Sequence, residues 1–82
     1  MNKQQLLQRI VVNRDVMVGK PIIRGTRLTV QYVLGRLALE ESIDEILHEY
    51  NGLTREDILA CLLFASETLE STTFAPLTAE AD

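Results

Sequence analysis

Apolar positions follow two regimes along the chain. Up to residue 28 they cluster in short β-branched runs, "RIVVN", "PIIRG" and the start of "RLTV", a strand-like habit. After Thr29 they recur at helical spacing. Val30, Val33, Leu34 and Leu37 follow the i, i+3, i+4, i+7 pattern of an amphipathic helix, with Thr29 placed to cap it. Ile43, Ile46, Leu47 and Tyr50 repeat the pattern. Ser42 and Glu45 before them have the spacing of a capping box, in which each side chain satisfies the other's free backbone N–H. "YNGL" ends this second helix, with Gly52 suited to the left-handed stop. Thr54 and Asp57 open a third helix that runs to about Glu70. Its middle, "ILACLLFA", is apolar on nearly every side, and such a helix is buried on more than one face. Two short neighbours cannot cover it. The pattern predicts a homodimer along this helix through Leu59, Leu62, Leu63 and Phe64.

The expected fold is therefore mainly α: a small three-helix, homeodomain-like or helix-turn-helix domain with a short N-terminal extended arm or β-hairpin. Residues 1–70 form one domain, with an extended basic arm at 9–28 and the three-helix bundle at 29–70. Gly19 and Gly25 mark turns within the arm, and Pro21 holds Lys20 extended. Residues 71–82 are expected to be a flexible tail, in which Phe74 and Leu77 are the groups able to dock on a partner.

With 82 residues and 46% hydrophobic composition, the chain has a modest core. Its longest apolar run, Ile58 to Ala65, is far below the roughly 20 residues that span a bilayer. The opening "MNKQQLLQRIVVNRD" lacks the apolar core and cleavage site of a signal peptide. Cys61 is a lone cysteine, so an internal disulfide is excluded and the cytoplasm is the expected compartment. The net charge of −4 conceals an asymmetry. Seven of the eight cations precede residue 40, against one anion, while the remaining eleven anions share the rest of the chain with Arg55. A basic face for a polyanion and an acidic face for a basic partner follow, unless the two halves neutralise each other on folding.

Catalytic chemistry finds little support. His48 is the only histidine, so no His/Cys metal cluster forms within one chain. Glu40, Glu41, Asp44, Glu45 and Glu49 make a hydrated acidic face. "GKPIIRG" lacks the spacing of a phosphate-binding Walker loop. No enzyme activity, metal or cofactor is expected.

The last two helices and their glycine turn have the order of a DNA-reading motif. The tip of the second, however, presents Glu56 and Asp57 beside Arg55, and anions suit helix capping better than phosphate contact. If DNA is bound, Arg14, Lys20, Arg24, Arg27 and Arg36 of the basic segment offer the better surface, with Arg55 as a further contact. The alternative is structural: Arg24 and Arg27 pair with Glu45, Glu49 or Asp57 and pin the arm to the bundle.

"GKPIIRGTRLTV", followed by "SIDEILHEYNGLTREDILACLLFA", resembles the bacterial family called domain of unknown function 433, over about Arg9 to Leu69. The resemblance makes Gly19, Lys20, Pro21, Arg24, Gly25, Thr26 and Arg27 a signature loop. "YNGL" departs from the family's usual Tyr-Pro-x-Leu, though Asn51-Gly52 still ends a helix well. Members are similar to homeodomain-like helical proteins, and many look like antitoxins encoded beside small toxins with a PIN-like nuclease fold.

That resemblance implies an antitoxin that neutralises a PIN-like nuclease toxin and binds its own operator DNA. The acidic helix, through Glu45 and Glu49, or the Phe74–Leu77 tail would cover basic surface on the toxin. Two alternatives stand beside it: a dimeric helix-turn-helix-like regulator with no toxin, and a protein-only adaptor in which the signature loop is a clamp.

Overall fold

A computed structural model describes residues 1–71. Helix α1 (Lys3–Leu7) leads into strand β1 (Ile10–Val11), a 3-10 turn (Met17–Gly19) and strand β2 (Ile22–Ile23). Helices α2 (Val30–Ala38), α3 (Ile43–Glu49) and α4 (Arg55–Glu70) follow. The architecture is mainly helical with a small two-stranded antiparallel sheet near the N-terminus, as the apolar pattern predicts.

The three later helices start where their caps place them. The Thr29 hydroxyl accepts from the Tyr32 amide, and both Ser42–Glu45 and Thr54–Asp57 form complete capping boxes. The chain leaves α3 through Gly52, whose φ of 91° suits a residue without a Cβ. The additional helix α1 rests on the same device: Asn2 and Gln5 form a capping box, and Lys3 reaches Glu67 of α4 at 3.8 Å.

β1 pairs with β2 in the register Ile10 to Ile23 and Val11 to Ile22, and Ile22 also bridges Thr29 on its other side. Ile23 thereby enters the core beside Val30 and Val33 of α2, Ile46 of α3, and Ile58 and Cys61 of α4. Burying this cluster is the main stabilising term. Helix α4 contacts α1, α2, α3 and β1, so the long helix is the spine of the domain.

Cys61 is fully buried on that spine. Burial, with a smaller push from the Asp57 charge, moves its thiol up to about 12. The thiolate is the reactive form, so the folded protein should not react with an aromatic disulfide reagent at pH 8. One equivalent should react in denaturant. Rapid native reaction would show that α4 does not pack as described.

Candidate nucleic-acid interface

The segment from Gly19 to Thr29 folds back as a tight hairpin, and most of its side chains have structural tasks. Gly19 closes a left-handed stretch in which Met17, Val18 and Gly19 have φ values of 50°, 56° and 76°. Val18 is 92% exposed there, an apolar β-branched residue in a conformation that side chains disfavour. The Pro21 carbonyl accepts the Val30 amide at 2.9 Å and so satisfies the first N–H of α2. Arg24 and Gly25 fill the central positions of the turn closed by the Thr26 amide on the Ile23 carbonyl, and Gly25 has the positive φ, 80°, of a type II turn. The Thr26 hydroxyl donates to the Ile23 carbonyl at 2.8 Å and accepts from the Leu28 amide at 3.0 Å.

Arg24 is a clasp. Its Nε and Nη2 donate to the Gln8 carbonyl at 3.0 and 2.7 Å, and its own amide donates to the Arg9 carbonyl at 2.8 Å. A second link holds the same stretch from the other side. Arg9 Nη1 donates to Asp57 Oδ1 at 3.0 Å, while Asp57 Oδ2 accepts from the Thr54 amide. The N-terminal segment is thus pinned to both the hairpin and α4.

Lys20 and Arg27 differ from the rest of the loop. Neither side chain has a hydrogen bond or ion pair among the described residues. Both line one cleft of about 300 Å³ together with Met17, Leu28, Thr29, Tyr32 and Tyr50. Tyr32 comes from α2 and Tyr50 from the end of α3; their rings meet edge to face with centroids 6.4 Å apart. Their hydroxyls lie 2.8 Å from each other, and Arg36 Nη1 donates to that of Tyr32 at 2.8 Å. The bond to Tyr32, then burial, raises the Tyr50 phenol above its ordinary value.

Arg36 is the knot behind the cleft. Its guanidinium pairs with Glu41 and with Glu49 as well as reaching the tyrosines. Glu41 first, then Glu49 and Tyr32, hold Arg36 above its usual range, and Arg36 in turn holds the Glu41 carboxyl below its own. A shallow depression of about 530 Å³ lies on this side, lined by Arg36, Glu41, Asp44, Glu45, His48 and Glu49. The basic cleft and the acidic depression are therefore joined through one arginine. Among the described residues no cluster of three His, Cys, Asp or Glu side chains could hold a metal ion.

Residues 10–65 match the family described as Protein of unknown function (DUF433). The chain belongs to the DUF433 family. A solved DUF433 member protein from Anabaena variabilis is similar in structure, with a TM-score of 0.73 and 30% sequence identity. The similarity covers 82% of this chain and 66% of that one, just under two thirds of the cyanobacterial chain's length. No curated protein matches the sequence.

In this DUF433 chain the residues proposed from sequence for DNA contact separate into groups. Lys20 and Arg27 share the cleft. Arg14 and Arg55 are exposed, and neither has an ion pair among the described residues. Arg24 and Arg36 are engaged within the fold. Asp57 and Glu49 do bind arginines, as the clamp alternative supposed, but the arginines are Arg9 and Arg36. Glu45 and Glu49 come together in the acidic depression, each with a structural bond of its own: Glu45 accepts from the Ser42 amide and Glu49 from Arg36.

Of the residues proposed for a dimer, Leu59, Leu63 and Phe64 are half-buried within the single chain, and Leu62 is 43% exposed. Phe64 lines an apolar groove between α2 and α4 with Pro21, Val30, Leu34, Ala65 and Leu69. Phe74 and Leu77 lie outside the described residues. No helix among the described residues is long and apolar enough to cross a membrane.

Sequence reasoning passed over Tyr32 and Tyr50 as site residues. They are the chain's two tyrosines, one turn into α2 and at the end of α3, where an aromatic ring with a polar tip suits a half-wet wall.

Proposed function

We propose that this DUF433 protein is the antitoxin of a type II toxin–antitoxin pair, a binding module that neutralises a small PIN-like nuclease and contacts operator DNA through its hairpin. The observation that supports it best is the division of labour within the signature loop. Gly19, Pro21, Arg24, Gly25 and Thr26 build the hairpin, leaving Lys20 and Arg27 as uncommitted cations in one cleft. Two long cations held without partners by so much local structure suit a polyanion. The acidic depression supplies the complementary surface for a basic protein, and Asp44 is its exposed carboxylate with no capping or ion-pair bond among the described residues. A second copy covering Leu62 and the Phe64 groove is the dimer this reading uses.

The test has two parts. The chain co-expressed with its neighbouring genes should retain a nuclease in near-equal amount, and Asp44→Arg should weaken that complex about tenfold. Asp44 is a cleaner probe than Glu45 or Glu49, whose loss would also disturb a cap or Arg36. Operator binding, measured by fluorescence anisotropy against salt, should lose about one from the log–log slope for each of Lys20→Ala and Arg27→Ala. Absence of any partner nuclease would remove the toxin half; a salt slope unchanged in both variants would remove the DNA contact.

A further inference from the structure

Among the described residues, every charged or hydroxyl side chain lining the Lys20–Arg27 cleft is a proton donor, and all but one of the tyrosine hydroxyls keep a proton to give. The Lys20 ammonium and the Arg27 guanidinium are donors only. The Thr29 hydroxyl oxygen already accepts from the Tyr32 amide at 3.0 Å, and its proton has no acceptor among the described residues. The tyrosine pair leaves one more. Two phenols share one hydroxyl–hydroxyl bond, and Arg36 supplies only donors, so one of the two phenolic protons stays uncommitted whichever hydroxyl donates. Among the described residues no carboxylate lines the cleft, whereas four line the neighbouring depression.

A donor-rich, two-cation cleft selects an anion, and the remaining walls say what the anion carries. Met17, Leu28 and the ring of Tyr32, which is 44% exposed, give it an apolar side. Inorganic phosphate has nothing to place there. A nucleotide does: its phosphate meets Lys20 and Arg27 while its base lies against the tyrosine and methionine. The volume of about 300 Å³ is at the small end of ligand sites, suited to one such unit.

We infer that the Lys20–Arg27–Tyr32–Tyr50 cleft binds a single nucleotide with an unstacked base, its phosphate held by the two cations and the free hydroxyl donors. The source is either a single-stranded end or a free nucleoside monophosphate. Duplex operator cannot offer such a base, so the inference goes beyond the operator contact of the proposed function and gives the same two cations a ligand of their own.

The ring signals of the two tyrosines, both lining the cleft, report binding directly in a two-dimensional ¹H–¹³C NMR titration of the full chain. The probes are uridine monophosphate, a short single-stranded oligothymidine, inorganic phosphate and a duplex. The tyrosine signals should shift with the first two and saturate, with phosphate at least tenfold weaker. Lys20→Gln and Arg27→Gln should each weaken nucleotide binding about tenfold. Neither side chain makes a bond among the described residues, so both variants should melt with the wild type. A shift with the mononucleotide alone assigns a free nucleotide, and an equal or tighter shift with the oligonucleotide assigns a strand. Unmoved tyrosines, equal affinity for phosphate and nucleotide, or binding indifferent to both variants would overturn the inference. Duplex binding with unmoved tyrosines sinks the nucleotide cleft and leaves the operator reading standing. Mononucleotide binding without duplex binding does the reverse.

Discussion

Ile58→Ala is expected to leave the chain substantially unfolded at 25 °C. Ile58 is fully buried in the first turn of α4, packed with Ile23, Val30, Val33, Ile46 and Cys61. Truncation removes three carbons and leaves a cavity lined by β2, α2 and α3, which are joined by short connections and cannot all close on it. Such changes cost about 2–5 kcal/mol. A domain of this size has on the order of 3–5 kcal/mol to lose, so the mutation consumes most of its stability. Urea denaturation followed by circular dichroism should show little or no native baseline. Ile58→Val removes a single methyl and should cost only about 1 kcal/mol. A midpoint for Ile58→Ala within that smaller range would mean that the core is looser than the packing indicates.

Asp57→Ala should lower the melting temperature by roughly 10–20 °C. Its carboxylate carries two duties at once, accepting the Thr54 amide to complete the α4 cap and the Arg9 guanidinium that pins the N-terminal segment. Loss of a helix cap costs about 1 kcal/mol. The arginine contact adds about 1–2 kcal/mol, at the low end because the Arg9 side chain is 31% exposed and the pair is partly screened by water. Together these amount to about 2–3 kcal/mol, and each kcal/mol is worth roughly 4–8 °C in a domain of this length. Arg9→Ala alone should reproduce only the arginine share, about 1–2 kcal/mol. In the double mutant the two losses should be less than additive, because the shared contact is counted in both single mutants. Strict additivity would show that Arg9 and Asp57 do not interact in solution.

The parts of the fold visible in the sequence are those specified by neighbours in the chain. Caps at Thr29, Ser42 and Thr54 reach only three residues ahead, and the apolar spacing of α2 and α3 repeats within two turns, so α2, α3 and α4 follow from local pattern. The hairpin is legible as a short extended arm or β-hairpin because Pro21 holds Lys20 extended and Gly19 and Gly25 mark turns on their own. Helix α1 is not legible in the pattern. Five residues are too few to show a period, and its one local sign was the Asn2–Gln5 cap.

The site was less legible because its chemistry depends on pairings across the fold. Arg9 and Asp57 are far apart in sequence, and so are Arg36 and Glu49; nothing in the linear pattern joins them. Six cations looked alike as phosphate contacts. Folding engages Arg24 through a backbone carbonyl and Arg36 through two carboxylates, and so separates them from Lys20 and Arg27. Likewise "ILACLLFA" looks apolar all round, yet Ile58 and Cys61 are buried while Leu62 faces outward.

The Arg24 clasp takes a main-chain oxygen as its acceptor, and this changes where the position of the N-terminal segment is encoded. Any amino acid at position 8 supplies the same carbonyl, so side-chain replacement there leaves the acceptor intact. An insertion or deletion between Gln8 and Ile10 would instead offer Arg24 the wrong peptide group. The arm is thus tolerant in spelling and strict in length, and its address resides in the hairpin that holds it.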